Sequence, residues 1–233
     1  MVTILKIPSD GISRYRATFN PATGEHIQYV LTGRETAGSV VRFRWIDEPG
    51  GKIASHTHPG CSETFTILDG EAVLIVDGKE VLLQAGETAV VPPGAVHAEE
   101  NRSGSLIHGV VELRPACKSA ELHDALAGIG NELPHRDSGV PKNALQLGAT
   151  FWLFRNELRA TNPPTWLQNL MLPPLAFCAR VAGVQGMKPH WSSLLPDDSP
   201  GCDPLFDENC FADALIRGGY GHGLHHHDAP RPH

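Results

Sequence analysis

Between Ser39 and Arg114 the chain is a succession of short β-rich runs closed off by turn residues, with no segment of helical period among them. The runs are Ser39–Asp47, Ala54–His58, Glu63–Leu68, Ala72–Val76, Glu80–Leu83, Thr88–Val91, Val96–Glu100 and Leu106–Leu113. Between them stand Pro49-Gly50-Gly51, Asp69-Gly70, Asp77-Gly78, Ala85-Gly86 and Pro92-Pro93-Gly94, which offer the positive φ angles and fixed proline φ that tight reversals need. Asp77-Gly78 is the clearest hairpin signal. Parallel pairing would require crossovers of about a dozen residues, and these connections have no room for them. The stretch therefore predicts a mainly antiparallel barrel, closed or of jelly-roll type.

After Pro115 the composition changes. Cys117–Ile129, Lys142–Ala160 and Thr165–Val184 are rich in helix formers, with Pro141 and Pro164 as start signals. Leu147, Phe151, Phe154 and Leu158 form a stripe at helical spacing that should face a core. Pro173-Pro174 is expected to break or kink the third segment. From Trp191 onward Pro, Gly, Asp and His dominate. The expected organisation is a β-barrel domain over residues 1–115, a helical extension over 116–196 that covers the barrel or makes a dimer, and a loose tail over 197–233.

At 233 residues and 41% apolar content the chain can bury one sizeable core plus an extension. A net charge of −7 without a basic block argues against nucleic acid and anionic membrane as partners. Residues 1–16 lack the pattern of a secretory signal, and no run reaches the roughly 18 apolar residues of a membrane span. A soluble cytoplasmic protein is the expectation. The five cysteines, Cys61, Cys117, Cys178, Cys202 and Cys210, contain no C-x-x-C pair and read as reduced thiols.

Residues two apart on a strand share a face, so His56 and His58 project into the same space. Glu63 opens the following strand across a short loop, and His97 opens a later one just after Pro92-Pro93-Gly94. Imidazoles with one carboxylate suit a first-row transition metal better than calcium or magnesium.

Two stretches carry this set at fixed spacing. One runs Gly50, five residues, His56-Thr57-His58, four residues, Glu63, six residues, Gly70. The other runs Gly86, five residues, Pro92-Pro93-Gly94, two residues, His97, three residues, Asn101. Both resemble the two motifs of the cupin superfamily. The resemblance implies a mainly β fold, a double-stranded β-helix or jelly-roll barrel, here with C-terminal α-helices. It also implies one divalent transition metal per chain held by His56, His58, Glu63 and His97, with Fe(II) the first choice and Mn, Ni, Co or Zn admissible. Like other cupins the chain is expected to form a homodimer. The motifs leave the reaction open: an Fe(II)-type dioxygenase acting on a small organic molecule comes first, a non-redox isomerase, cyclase or lyase second, and a non-catalytic small-molecule binder third.

Strand parity extends the site. Glu99 shares the face of His97, which makes it a candidate general base or support for the metal ligands, unless the strand end turns it to solvent. Phe65 and Ile67 share the face of Glu63 and should line the substrate pocket. Arg42 and Arg44 alternate with Val41, Phe43 and Trp45, and the apolar set is expected inside; inward arginines would point to an anionic substrate. Cys61 is either a reactive thiol or a small residue in a tight turn. His222, His225, His226, His227 and His233 in the tail could take up metal loosely.

Overall fold

The computed structural model describes residues 15–136 and 139–194. Two antiparallel sheets face each other. The first contains β1 (Thr18–Asn20), β2 (Glu25–Leu31), β3 (Val41–Asp47), β5 (Ser62–Asp69), β8 (Thr88–Val91) and β10 (Ile107–Arg114), in the order β1-β2-β3-β10-β5-β8. The second contains β4 (Lys52–Thr57), β6 (Glu71–Val76), β7 (Lys79–Gln84), β9 (His97–Glu100) and β11 (Arg159–Ala160), in the order β11-β4-β9-β6-β7. This is the jelly-roll arrangement that the turn-punctuated runs predict, with three helices following it. Strands β1 and β2 lie upstream of the predicted β region, where His26 and Gln28 dilute the apolar signal of Ile27 and Tyr29.

The interior is made by alternation. Val41, Phe43 and Trp45 of β3 join Phe65 and Ile67 of β5 and Val111 and Leu113 of β10 in one buried cluster between the sheets. Arg42 and Arg44 lie on the other face of β3, buried all the same, where Arg42 is paired with Glu112 and Arg44 donates to Gln28 Oε1 at 3.4 Å. Asp77 and Gly78 close the β6–β7 hairpin with φ of 49° and 77°, as a two-residue turn with both φ positive requires.

Helix α1 (Ser119–Glu132) rests against β1, and Tyr29 donates to the Ala120 carbonyl at 2.9 Å. Asn143 caps α2 (Ala144–Leu153) by accepting from the backbone N–H groups of Leu145 and Gln146. That helix ends at Leu153, short of the predicted Ala160. The chain then turns and adds Arg159–Ala160 to the edge of β4, so sheet pairing overrides helix propensity in the last residues of the segment. Helix α3 (Thr165–Val181) runs through Pro173-Pro174 without a break, which excludes one of the two outcomes expected there. The carbonyls that the prolines cannot serve belong to Asn169 and Leu170, both exposed and free to bond water. Trp191 then lies on Gly128 of α1, where a Cβ would come within 2.2 Å of the indole, and Ser193 bonds Asp124. Among the described residues no helix is long and apolar enough to cross a membrane. The expected loose tail and its histidines lie outside the described residues.

Gly70 joins β5 to β6 with φ +83°, and a Cβ there would stand 2.7 Å from the Leu106 carbonyl oxygen. Gly70→Ala therefore meets both a strained backbone and a backbone collision. It should cost about 1–3 kcal/mol, seen as a lower urea midpoint at unchanged slope; an unchanged midpoint would contradict the assigned turn.

Candidate metal centre

His56 sits on β4 and faces His97 of β9 directly across the ladder. His58 follows the end of β4, and Glu63 stands on β5 in the opposite sheet, so the set bridges the two sheets. All four side chains are buried, and their ligand atoms gather within 4.8 Å of one another. His97 Nε2 and Glu63 Oε2 are 2.9 Å apart, His58 Nε2 and Glu63 Oε2 3.3 Å, and His56 Nε2 and His58 Nε2 3.2 Å.

The other ring nitrogen of each imidazole fixes its tautomer. His56 Nδ1 faces the Ala54 carbonyl at 2.9 Å, His97 Nδ1 the Ala95 carbonyl at 3.0 Å, and His58 Nδ1 the Glu157 carbonyl at 2.7 Å. A carbonyl only accepts, so each Nδ1 carries the proton and donates, and each Nε2 turns a lone pair inward. Two such lone pairs 3.2 Å apart repel each other unless a cation lies between them. At metal–ligand lengths of about 2.0–2.2 Å, neighbouring donors of one ion stand roughly 3 Å apart. The residues thus fit a divalent transition metal in number, tautomer and spacing.

Electrostatics favour the ligand form at His56 and Glu63, whereas at His58 burial is outweighed by Glu63, which raises the proton affinity, so a metal ion competes with a proton there. Burial, reinforced by His58 and His97, lowers His56 to about 3, so its imidazole is neutral at ordinary pH and ready as a ligand. Burial alone would raise Glu63, but His58 and His97 outweigh it and hold the carboxyl well below its usual range. Cys61, buried in the loop before Glu63, has its thiol pushed up to about 12 by burial and then by Glu63. It is a packed, unreactive thiol, the second of the two readings of the sequence.

A cavity of about 110 Å³ opens beside the four ligands. Phe43, Trp45, Phe65 and Val111 form its barrel wall. Ile67, expected there, is fully buried in the core and does not line it. A two-residue step along a strand is roughly 7 Å, and it carries Ile67 past the cavity into the closed part of the barrel. Glu99 faces the cavity from β9 with 1% exposure. Burial, then Asp47 and Glu25, push its carboxyl well above the ordinary range.

Several contributors escape sequence reasoning. Glu157 supplies the carbonyl that holds His58, from ninety-nine residues away. Leu126, Phe151 and Leu158 line the cavity from the helical region; only the stripe of Phe151 and Leu158 gave a signal. His123 of α1, whose Nδ1 donates to the Ser119 carbonyl at 2.7 Å, also lines the cavity, as does Glu25 of β2. No motif marks either of them.

Adding zinc or manganese to metal-free protein should raise its melting temperature, and a chelator should reverse the shift. At a hundredfold excess over Kd the stabilisation is about 2.7 kcal/mol. His97→Ala should remove most of it; an equal shift in that variant would place the metal elsewhere.

A pH effect follows from Asp47, whose carboxyl is pushed from 3.8 up to about 8 by burial and then by Glu25 and Glu48. Between those values the folded chain keeps a proton that the unfolded chain has released. The stabilisation is therefore complete below the lower value and is lost as pH rises through the upper one. His56 acts the opposite way between 6.5 and about 3, whereas Glu25 up to about 7, Glu99 and His58 act in the same direction as Asp47, so the share of Asp47 is read above pH 7 from the difference between variants. From about pH 7 to 8 Asp47 should cost metal-free protein up to about 1 kcal/mol per pH unit, and Asp47→Asn should reduce the slope by that share in denaturant titrations. An unchanged slope would assign the effect to other groups.

The family model of the cupin domain matches residues 43–108, which contain all four ligands. No curated protein matches the sequence. Among solved structures the chain is similar to a protein of Thermus thermophilus, at 28% identity over 42% of this chain and 88% of that one with a TM-score of 0.37. A Klebsiella pneumoniae protein with a double-stranded β-helix domain gives 27%, 50%, 93% and 0.36 in the same order. A predicted oxalate decarboxylase from Thermotoga maritima gives 23%, 48%, 99% and 0.42. The matched motifs and the two-sheet barrel around them establish that this chain carries a domain of the cupin superfamily.

Proposed function

We propose that the protein is a metal-dependent enzyme acting on a small organic molecule, of the dioxygenase type with Fe(II) as its metal. The observation that carries this reading is the set of three inward Nε2 atoms and one Glu63 oxygen beside a mostly apolar cavity. A divalent ion held there supplies Lewis acidity and, when it is iron, the means to activate dioxygen. The chain contributes position and dryness. Phe43, Trp45 and Phe65 hold a substrate against the ligands and exclude water, while the Glu157 carbonyl keeps His58 turned inward.

A non-redox isomerase, cyclase or lyase is the second reading, and Glu99 is the observation that favours it. A buried carboxyl facing the cavity is placed to move a proton on a substrate whose carbonyl is polarised at the metal centre.

Oxygen uptake by iron-loaded protein, measured with a panel of small hydroxylated compounds, separates the two. Turnover with dioxygen consumed one for one with product supports the dioxygenase reading; equal rates with and without oxygen would overturn it. Under the second reading Glu99→Gln should lower kcat by about a hundredfold or more with metal content unchanged. Full activity in that variant would remove Glu99 from the chemistry.

A further inference from the structure

The acidic side of the cavity narrows the substrate, an inference that rests on the metal-enzyme reading above. Neither carboxyl oxygen of Glu99 receives a hydrogen bond from the described residues, although the side chain is 1% exposed and faces the cavity. Glu25 faces the same cavity, with the Thr23 hydroxyl donating to its Oε2 at 2.8 Å. Asp47 is the cross-strand partner of Glu25 and is fully buried over Gly51, where a Cβ would come within 2.2 Å of Oδ1. Its oxygens likewise receive no hydrogen bond that meets ordinary geometry.

No lysine or arginine of the described residues lines the cavity. Cations on neighbouring strands lie outside it: Arg42 pairs with Glu112, Lys52 and Arg102 with Glu100, and Arg159 of β11 does not line the cavity. A buried carboxyl without a donor is costly, and the cavity is the side from which a donor can reach Glu99 and join Thr23 at Glu25. The three acids do not converge as metal ligands do. Among the described residues only His56, His58, Glu63 and His97 gather that closely, so the missing donor is an organic group rather than a second ion.

We infer that the substrate spans two poles: an oxygen function at the metal ligands and a hydrogen-bond donor, an ammonium or a hydroxyl, at Glu99 and Glu25. His97 and Glu99 stand two residues apart on one strand, so the poles are separated by roughly 7 Å, the length of a small aromatic or short-chain molecule. A carboxylate or phosphate at the acidic pole finds carboxyl oxygens and no cation to offset its charge. Glu25 and Glu99 are then specificity-determining residues.

The test uses the full chain loaded with zinc and three catechols of one size that differ only at the tail: an aminoethyl, a hydroxyethyl and a carboxymethyl group. Titration calorimetry should rank them in that order, with the amine at least about tenfold tighter than the carboxylate. Glu25→Gln and Glu99→Gln should each narrow the spread, mainly by weakening the amine. Equal binding of the three, a reversed order, or an unchanged spread in both variants overturns the inference. Zinc content measured on the same samples separates the failures. Protein that takes up no zinc overturns the metal-enzyme reading and this one with it, whereas fully loaded protein blind to tail charge overturns this one alone.

Discussion

The protein depends on three imidazoles whose outer nitrogens are tied to backbone carbonyls. Because Ala54, Ala95 and Glu157 accept from Nδ1 of His56, His97 and His58, the three Nε2 lone pairs can only point inward, toward Glu63. A buried meeting of lone pairs and a carboxylate is unfavourable on its own and favourable around a cation. The barrel supplies the rigidity that keeps it in place. Two of the three carbonyls come from the same short stretch as the histidine they hold, so the strand itself sets the tautomer. The third comes from beyond α2 and makes the helical region part of the centre.

That third contact gives the C-terminal helices a role beyond covering apolar surface. The turn after α2 brings the Glu157 carbonyl to His58 and then pairs Arg159–Ala160 with β4, the strand that carries His56. Phe151 and Leu158 come with it and line the cavity. The return of Trp191 and Ser193 onto α1 ties the end of the described chain to the same layer. A substitution in the α2 region can thus reach the metal centre through one hydrogen bond.

Much of the fold was legible because its signals are local. Turn pairs such as Asp77-Gly78 impose positive φ, alternation in β3 places Phe43 and Trp45 inside, and motif spacing brings His56, His58, Glu63 and His97 to one end of the barrel. Parity likewise turns Phe65 and Glu99 to the cavity. Parity gives a face but not a depth, which is why Ile67 lies in the core instead. Pro173-Pro174 does not break its helix because an exposed helix face can leave carbonyls to water. Strands β1 and β2 were missed because their polar residues blur the alternation.

The sequence by itself determined the kind of barrel, the donor set and the class of ion it suits, since each follows from residues close together in the chain or from a fixed motif spacing. Tertiary structure decided the rest of the site. Glu25, His123 and Glu157 come from three separate parts of the chain, and only folding places them beside Glu99 around one centre. Burial then shifts the proton affinities of Glu25, Glu99 and His123 and leaves the acidic side without a cation. These are properties of distances between segments far apart in the chain, and no local pattern encodes them.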